Sequence, residues 1–351
     1  MKIRAFNLAT SGPADVTGLR GLLDGGAVRA EDVLCVLGKT EGNGGRNDFT
    51  RELAMTALEH LFAPRLGIAP QAVQDRVIFS LSGGCEGVVT PHLVVFVREG
   101  RPGVERLAHK RLSAASGYTR SFAPEEIGTM AQIIETARAV AEVVAGLQVD
   151  SPADVHLVQM KGAIPAGQGP VPPRCDMVHS RAASALGAAL ALSEVPAAAL
   201  SDAVVNRDFA LYSSVASCSA KPGLARTEIL AFGMSPFWDG DLVIDHGILT
   251  DILDLDGIRR VAAAVGLPGN ELVGAFAKAE ADPRGTVRGH RHTMLSDDDI
   301  GDTRYARCVL ASVLAAGLGE TRVYVSTRAE HHGPLGGGPL ALLARVPPTP
   351  S

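Results

Sequence analysis

The sequence lacks the paired cysteines on which disulfide scaffolds and cysteine-based zinc sites depend. Five cysteines are spread over 351 residues, at positions 35, 85, 175, 218 and 308, and no two of them have CxxC spacing. Paired or clustered cysteines would be expected in a small secreted domain or in a zinc-binding module. The pattern therefore argues against both classes of protein.

Long apolar runs and basic clusters are also missing. No uncharged apolar stretch approaches the roughly 20 residues that span a bilayer, and the first residues lack the charged-then-apolar layout of a signal peptide. The formal net charge is −5, without the basic patch that binding to nucleic acid requires. We therefore expect a cytoplasmic protein whose ligand is a small molecule, with neither a nucleic acid nor a membrane as partner.

Aromatic residues make up only 4% of the chain, whereas small side chains are abundant. Alanine, glycine and valine suit closely packed layers of helices on sheets. The length of 351 residues also exceeds what one hydrophobic core usually organises. These features predict an α/β protein with more than one structural unit.

One layout is repeated three times along the chain. Each copy begins with a short apolar run that ends in a lysine (33–39, 155–161 and 272–278), a pattern typical of a buried strand. A polar loop, a Ser/Thr–Arg pair opening an Ala-rich helix, a second strand with a Ser-rich turn and a final apolar strand follow. The copies predict three repeat units, 1–104, 105–244 and 245–351.

The same three polar residue types return in each unit. They are a lysine (Lys39, Lys161, Lys278), an arginine (Arg51, Arg181, Arg304) and a serine (Ser82, Ser219, Ser326). Ser or Thr at a helix start is an ordinary N-cap, but an arginine there opposes the helix dipole, so its recurrence suggests a role in recognition. A single lysine at a strand end would be interpreted as solvated, whereas three in parallel frames favour a shared site.

A serine beside a lysine can act as a nucleophile if the lysine takes its proton. Burial and neighbouring arginines lower the pKa of a lysine enough for this role, and Ser–Lys is a known variant of the serine triad. Backbone N–H groups at Gly83, Gly84 and Ala220 would hold a developing oxyanion. The converging arginines would bind the carbonyl oxygens of a flat ring.

Other motifs support different chemistry less well. Gly38-Lys39-Thr40 is similar to the end of a phosphate-binding loop, but that motif needs glycine where Val33 stands. The histidines at 290, 292, 331 and 332 lack the spacing of a zinc site. Glu280 and the carbonyl-rich loop 333–339 together suggest an all-oxygen site for Mg²⁺ or Ca²⁺.

Five segments, spread over all three units, carry unusual motifs. They are GKTEGNGGRNDFTRE (38–52), SGGCEGVVTPH (82–92), SRAASALGAALA (180–191), RGHRHTMLSDDDI (288–300) and AEHHGPLGGGP (329–339). These segments resemble the cyanuric acid hydrolase/barbiturase family of ring-opening amidohydrolases. The resemblance implies three pseudo-symmetric α/β units around a threefold axis, one active site on that axis and assembly into homotetramers. It also implies hydrolysis of cyclic ureides without a catalytic metal or other cofactor.

The resemblance further implies roles for single residues. The family's working pair lies in the second unit, which implies Ser219 as nucleophile and Lys161 as its base, with Lys39 and Lys278 in the two other pairs. Arg51, Arg181 and Arg304 would bind ring carbonyls. Other edges of the ring would contact Ser82, Gly83, Ala220, Ser326 and Thr327. A structural Mg²⁺ or Ca²⁺ would be held by Glu280 and the carbonyls of Ala329, His332, Gly333, Pro334 and Gly336.

The sequence departs from the family pattern after two of the serines. Lys221 stands where the family has glycine, and Thr327-Arg328 stand where it has two glycines. The added cations predict a less symmetric ring than cyanuric acid, such as a barbiturate or a pyrimidine that carries a carboxylate. Ser217 remains an alternative nucleophile. A non-catalytic protein that binds planar heterocycles remains an alternative to an enzyme.

Overall fold

The computed structural model describes residues 1–44, 47–101, 105–167, 170–327 and 333–348. Three four-stranded sheets form its framework, one from each third of the chain. Helices cover the sheets, so the predicted α/β class is confirmed. No helix in the described ranges has the length and hydrophobicity that a membrane span requires.

Each unit has the element order strand, helix, strand, helix, strand, strand, and the third unit has a short hairpin inserted before its second helix. The first unit contains β1 (Lys2–Ala9), α1 (Thr17–Asp24), β2 (Val33–Thr40), α2 (Thr50–Leu66), β3 (Ile78–Gly83) and β4 (His92–Glu99). The second contains β5 (Arg111–Tyr118), α3 (Met130–Ala145), β6 (Val155–Ile164), α4 (Met177–Ala191), β7 (Ala216–Pro222) and β8 (Glu228–Ser235). The third contains β9 (Leu242–Leu249), α5 (Leu255–Ala264), β10 (Glu271–Ala279), the hairpin β11 (Thr286–Val287) and β12 (His290–Arg291), α6 (Asp302–Leu318), β13 (Tyr324–Thr327) and β14 (Gly338–Arg345).

The three sheets have the same strand order, β1–β4–β2–β3, β5–β8–β6–β7 and β9–β14–β10–β13. In each sheet the last two strands are parallel and are joined by a crossover that contains α2, α4 or α6. The other pairings are antiparallel. Because two parallel strands end at the same edge of a sheet, the residues at their carboxyl ends lie side by side.

The lysine-centred repeat does not predict the first strand and first helix of each unit. In the second unit this strand is β5, RLSAASGY, in which small and polar residues leave no continuous apolar run. In the third unit β9 begins at Leu242, so the expected boundary at residue 245 falls inside a strand. The start of a unit is therefore set by sheet pairing and not by its apolar pattern.

The Ser/Thr–Arg pairs do not cap their helices, contrary to the expectation. Ser180 lies inside α4, whose N-cap is Asp176, and its hydroxyl donates to the Ala163 carbonyl at 2.6 Å. Thr50 is the first helical residue of α2, and the N-cap of α6 is Gly301. The Ser180 hydroxyl therefore fastens α4 to β6 instead of starting the helix.

The inner faces of the three sheets share one hydrophobic core. The ring of Phe96 on β4 lies 4.7 Å from that of Phe232 on β8 and 6.2 Å from that of Phe276 on β10, measured between centroids. Residues of all three units join this central cluster, whereas the outer face of each sheet packs mainly on its own helices. Each buried phenylalanine stabilises the fold by roughly 1.5–3 kcal/mol. The shared core therefore holds the three sheets around a common centre.

Candidate active site

The strand register places each predicted lysine beside its predicted serine. The Cα partners are Lys39 and Ser82, Lys161 and Ser219, and Lys278 and Ser326. Paired strands lie about 4.8 Å apart, so the backbone alone brings each amine close to a hydroxyl. Lysine and serine therefore recur three times in the sequence because the same pair of strand ends occurs in each of the three units.

The register also distinguishes the two candidate serines on β7. Ser219 is the partner of Lys161, whereas Ser217 is the partner of Gln159. Ser219 lines a pocket, and Ser217 is buried and is not among the residues of its wall. Of the two serines, Ser219 is therefore the one placed at the pocket.

The three units converge on one pocket of about 230 Å³. Its wall includes the three serines, one lysine, one arginine from each unit and two small residues: Ser82, Ser219, Ser326, Lys161, Arg51, Arg181, Arg307, Gly83 and Ala220. Lys39 and Lys278 are each only 1% exposed and are not among the lining residues. The pocket is therefore a polar, cationic cavity with one unit's lysine exposed to it.

The third arginine of the pocket is Arg307 and not the expected Arg304. Both residues lie on α6, but Arg307 is buried and lines the pocket, whereas Arg304 is half-exposed and does not. Arg51 is the second residue of α2 and Arg181 the fifth of α4. Because these helices begin at different points, counting from a Ser/Thr–Arg pair does not identify the equivalent arginine.

The first unit holds Arg307 in place. Its Nε donates to a Glu86 carboxylate oxygen at 2.8 Å, and its Nη2 donates to the Asn43 carbonyl at 3.0 Å. Two hydrogen bonds between a guanidinium group and one carboxylate fix both the position and the plane of the guanidinium group. Glu86 was not predicted as a site residue, since only the tertiary structure brings α6 against the turn after β3.

Asp48, which was not predicted as a site residue, links Gly44 to the start of α2. Its buried carboxylate accepts from the Gly44 N–H at 2.8 Å and the Thr50 N–H at 3.0 Å, and lies 3.9 Å from Arg51 Nε. Burial raises the pKa of Asp48, but the hydrogen bonds from Thr50 and Gly44 outweigh it, so the pKa is lowered. An ionised Asp48 therefore orients Arg51 at the pocket.

The second Lys–Ser pair differs from the other two in its hydrogen bonds. Lys39 Nζ lies 3.2 Å from Ser82 Oγ, and Lys278 Nζ lies 3.2 Å from Ser326 Oγ. Lys161 Nζ instead donates to the Leu81 carbonyl of the first unit at 2.7 Å. Between Lys161 and Ser219, both in described strands, there is no hydrogen bond, although they are paired in register.

Burial weakens the proton affinity of Lys161 and Lys39. Burial, followed by the charge of Arg51, lowers the pKa of Lys161 to about 7. Burial, followed by Arg307, lowers the pKa of Lys39 to about 7 as well, so the pKa alone does not distinguish them. Lys39 Nζ has three oxygen acceptors, from Ser82, Gly83 and Val325, which favour its charged form. Lys161 has one, and is therefore better suited to act as a base.

A family model described as ring-opening amidohydrolase matches residues 4–345 of the chain. This match includes strands of all three sheets and every residue of the pocket. The chain belongs to the ring-opening amidohydrolase family. The prediction of an enzyme that hydrolyses cyclic amides is confirmed, and the alternative of a non-catalytic binding protein is set aside.

Individual relatives support the same assignment. The cyanuric acid amidohydrolase of Enterobacter cloacae is 45% identical, over 99% of this chain and 100% of that protein. The cyclic amide hydrolase of Azorhizobium caulinodans is 39% identical, with the same coverage of 99% and 100%. A solved cyanuric acid hydrolase structure, described as an innovation by structural concatenation, has a TM-score of 0.91 at 44% identity and covers 98% of this chain and 99% of its own.

In this amidohydrolase a carboxylate flanks Lys161 on the side opposite Ser219. Glu228 on β8 is the antiparallel Cα partner of Lys161. The equivalent partner of Lys39 is His92 on β4. Burial raises the pKa of Glu228, although Lys221 and Lys161 oppose this, and ionised Glu228 in turn raises the pKa of Lys161. Glu228 therefore adjusts the proton affinity of the pocket lysine without lining the pocket.

Replacing Glu228 by glutamine is expected to shift the pH–rate profile of the amidohydrolase. The substitution removes a negative charge that favours the lysine's ammonium form, so the pKa of Lys161 falls and more neutral amine is present at low pH. The acidic limb of the plot of kcat/KM against pH should therefore move to lower pH. The plot would be measured at pH values on either side of 7. Exposed Glu52, beside the same pocket, provides the matched control. A limb that moves equally in Glu52→Gln, or towards higher pH in Glu228→Gln, would contradict this role.

Gly84 leaves room for the Arg307 guanidinium. Its φ is +98°, and a Cβ at this position would lie 2.6 Å from Arg307 Cζ. Its N–H donates to the Thr40 carbonyl at 2.9 Å, so the expectation that this N–H holds an oxyanion is wrong. Gly84 is therefore needed for the position of Arg307 and not as a donor.

Gly84→Ala is expected to weaken kcat/KM by about 100-fold because a displaced arginine misplaces the substrate. The matched control is Gly26→Ala, at φ +71° with nothing within 4 Å of the added Cβ. Both variants should lose about 1–2 kcal/mol of stability from the left-handed backbone, measured by urea unfolding, but only Gly84→Ala should lose activity. Equal activity in the two variants would show that Arg307 does not need this space.

The predicted cation site is only partly described. Gly336 and Gly338 pack on the chain around Glu280, since a Cβ would lie 2.8 Å from Asp282 Cβ in the first case and 2.0 Å from the Lys278 carbonyl in the second. Glu280 is half-buried, and Gly333 and Pro334 belong to the same loop. Ala329, His332 and Arg328 lie outside the described residues, as does the side chain of Thr327. The Mg²⁺ or Ca²⁺ site therefore stays a prediction.

Proposed function

We propose that this amidohydrolase opens a small cyclic amide or ureide with Ser219 as nucleophile and Lys161 as general base. The observation that carries the proposal is the asymmetry of the three strand-end pairs. Lys161 lines the pocket, and its pKa is lowered to about 7. It makes no hydrogen bond to Ser219, whereas Lys39 and Lys278 are each hydrogen-bonded to the serine of their own pair. A neutral amine near neutral pH is what a serine nucleophile requires.

The proposed reaction has two steps. Neutral Lys161 takes the hydroxyl proton as Ser219 Oγ bonds to a ring carbonyl carbon, and the tetrahedral intermediate then breaks its ring C–N bond. The leaving nitrogen receives the proton from the Lys161 ammonium, which leaves an opened acyl-enzyme. Water then attacks this ester while Lys161 takes one of its protons. Lys161 returns that proton to Ser219 Oγ as the C–O bond to the serine breaks, and the released acid ionises to the carboxylate product.

The rest of the pocket would bind the ring. Arg51, Arg181 and Arg307 supply planar donor forks suited to ring carbonyl oxygens. Ser82 and Ser326, each hydrogen-bonded to a lysine, are suited to donate to the remaining carbonyl oxygens and not to act as nucleophiles. Arrangement of these donors before the reaction begins lowers the barrier, because they need not reorganise as negative charge develops.

Cyanuric acid is the first substrate to test, since close relatives are named for it. The purified enzyme would be incubated with cyanuric acid, barbituric acid, orotate and dihydroorotate, and ring loss followed by ultraviolet absorbance and mass spectrometry. Ring opening of one compound, lost in Ser219→Ala, would support both the activity and the nucleophile. No turnover of any of them by folded enzyme would contradict the proposed substrate class.

Lys221 favours a second, less symmetric substrate within the same class. Its Nζ lies 3.3 Å from Met55 Sδ in a cavity of about 50 Å³ that also touches Arg51 and Lys161. Lys221→Gly restores the residue expected in the family and removes one charge-assisted hydrogen bond to the less symmetric substrate. We therefore expect kcat/KM for cyanuric acid, relative to kcat/KM for barbiturate or orotate, to rise by about 10-fold. The exposed lysine Lys2 provides a control as Lys2→Gly. An unchanged ratio would remove Lys221 from substrate selection.

Assembly and the structural cation complete the proposal. By resemblance, the chain forms a homotetramer and binds Mg²⁺ or Ca²⁺ at Glu280, with no cofactor in the reaction itself. Analytical ultracentrifugation with and without a chelator measures the oligomeric state and its dependence on the bound cation. A monomer in the presence of either ion would contradict this part of the proposal and leave the chemistry untouched.

A further inference from the structure

Two histidines and an aspartate meet between the second and third sheets. His156 Nδ1 lies 2.9 Å from His246 Nδ1 and 3.3 Å from Asp245 Oδ1, and His246 Nδ1 lies 3.8 Å from the same oxygen. Among the described residues, this is the one group of three or more such side chains whose donor atoms are close enough to share an ion. His156 is five residues before Lys161 on β6, about 17 Å along the strand, so the cluster is separate from the pocket.

We propose that His156, Asp245 and His246 bind a divalent transition metal of the Zn²⁺ type. A tetrahedral ion with bonds of about 2.0–2.1 Å places neighbouring ligand atoms about 3.3 Å apart, and the three measured separations lie on either side of this value. Two imidazoles and one carboxylate favour Zn²⁺, Co²⁺ or Ni²⁺ over the oxygen-preferring Mg²⁺ and Ca²⁺. This site is therefore different in chemistry and place from the one predicted at Glu280.

The cluster lies at a departure from regular strand geometry that recurs in all three sheets. The β6–β8 register shifts between Val155 and Leu157, which makes His156 the extra residue of a bulge. Bulges redirect side chains and are frequent beside functional sites. Asp245 and His246 are consecutive on β9 and would ordinarily point to opposite faces. The Asp245 carboxylate instead turns back and accepts from the His246 N–H at 2.7 Å.

A second layer of polar groups orients His246. Its Nε2 lies 3.4 Å from Ser214 Oγ, and Ser214 donates to the Glu194 carboxylate. With the imidazole proton on Nε2, the Nδ1 lone pair faces His156 and Asp245, as metal coordination requires. Chains of this kind, from histidine to a carboxylate, accompany metal-binding histidines in general.

The other two junctions between sheets show that packing alone does not need these side chains. Bulges at the equivalent places of β2 and β10 carry Leu34 and Val273. The strand positions equivalent to Asp245 and His246 are occupied by apolar residues, Ala5 and Phe6 on β1 and Ala114 and Ala115 on β5. Among the described residues of the three junctions, only those between the second and third units combine imidazoles with a carboxylate.

Solvent reaches the cluster from two sides. A cleft of about 390 Å³ is lined by His156 and Asp245, and another of about 340 Å³ by His246, Ser214 and Glu194. Water or a small anion entering from either cleft would supply the fourth ligand. The site therefore has an entry path for the ion, and the bound ion would join β6 to β9.

The test is a titration of chelator-treated, full-length protein with Co²⁺ in excess Mg²⁺, followed by visible absorption. We expect one Co²⁺ to bind per chain and to give the intense absorption bands of tetrahedral coordination. Zn²⁺, added in place of Co²⁺, should raise the Tm above that of the metal-free protein. His156→Leu, Asp245→Ala and His246→Phe introduce the residues of the equivalent positions and so suit the fold. Each should weaken binding by about 100-fold, whereas His60→Leu, on the exposed face of α2, should not.

Two results would overturn the proposal. One is a folded wild-type protein that gives no tetrahedral Co²⁺ spectrum. The other is binding that is equally tight in all three variants, which would place the ion elsewhere. In either case the cluster would be a hydrogen-bonded network that holds two sheets together without metal. The three substituted residues do not line the pocket, so the ring-opening activity of the variants tests the proposed function independently.

Discussion

Ser219→Ala is expected to lower kcat for ring opening by at least about 10⁴-fold, since it removes the oxygen that would form the proposed acyl-enzyme. Ser82→Ala and Ser326→Ala are the matched controls, because each removes the same atom from an equivalent strand end of the same pocket. They should lower kcat/KM by only about 10- to 100-fold, as expected for the loss of one hydrogen-bond donor. Single-turnover assays would measure the effect on chemistry apart from product release.

The acyl-enzyme provides a second measure of the same prediction. Mass spectrometry of enzyme quenched during turnover should show the mass of the opened ring on the peptide that contains Ser219. Modification of Ser82 or Ser326, or a control that loses as much activity as Ser219→Ala, would transfer the nucleophile to another unit. The fold and family would be unaffected by that result.

Lys161→Met is expected to lower kcat/KM by about 10³- to 10⁴-fold, the contribution of a well-placed general base. The wild-type rate should fall as pH drops below about 7, because protonation of Lys161 removes the base, and this limb should be lost from the residual activity of the variant. Adding Lys161→Met to Ser219→Ala should cost little more, since the two residues act as one unit. Lys221 lines a small cavity together with Lys161, so Lys221→Met serves as the control. This variant should keep the fall in rate below about pH 7.

Stability measurements separate a lost base from a damaged fold. The pKa of Lys161 is about 7 when folded and near 10.5 when unfolded, so between these values the unfolded chain binds more protons. The free energy of unfolding should therefore rise with pH in this window, and Lys161→Met should reduce that rise. The variant should also be at least as stable as the wild type near pH 7, because it removes a buried amine. A variant that unfolds more easily would mean that Lys161 is mainly structural.

The sequence by itself determined much of the fold and the chemical identity of the site. Apolar runs that end in lysine located β2, β6 and β10. These features could be predicted because a buried strand needs continuous apolar side chains, and that need is local. Repetition of lysine, arginine and serine then indicated one shared site, since three sheets with the same topology place equivalent residues at equivalent edges.

Only the tertiary structure decided which members of each set meet. Arg307 replaces Arg304 because the register of α6 against the sheet, and its bond to Glu86 on another unit, depend on packing between segments more than 200 residues apart. The same is true of Lys161, whose Nζ bonds Leu81 of the first unit rather than Ser219. It holds as well for His156 and His246, which are 90 residues apart in the chain. Local patterns specify strands and helices, but the contacts between units follow from how three curved sheets share one core, and no single segment contains that information.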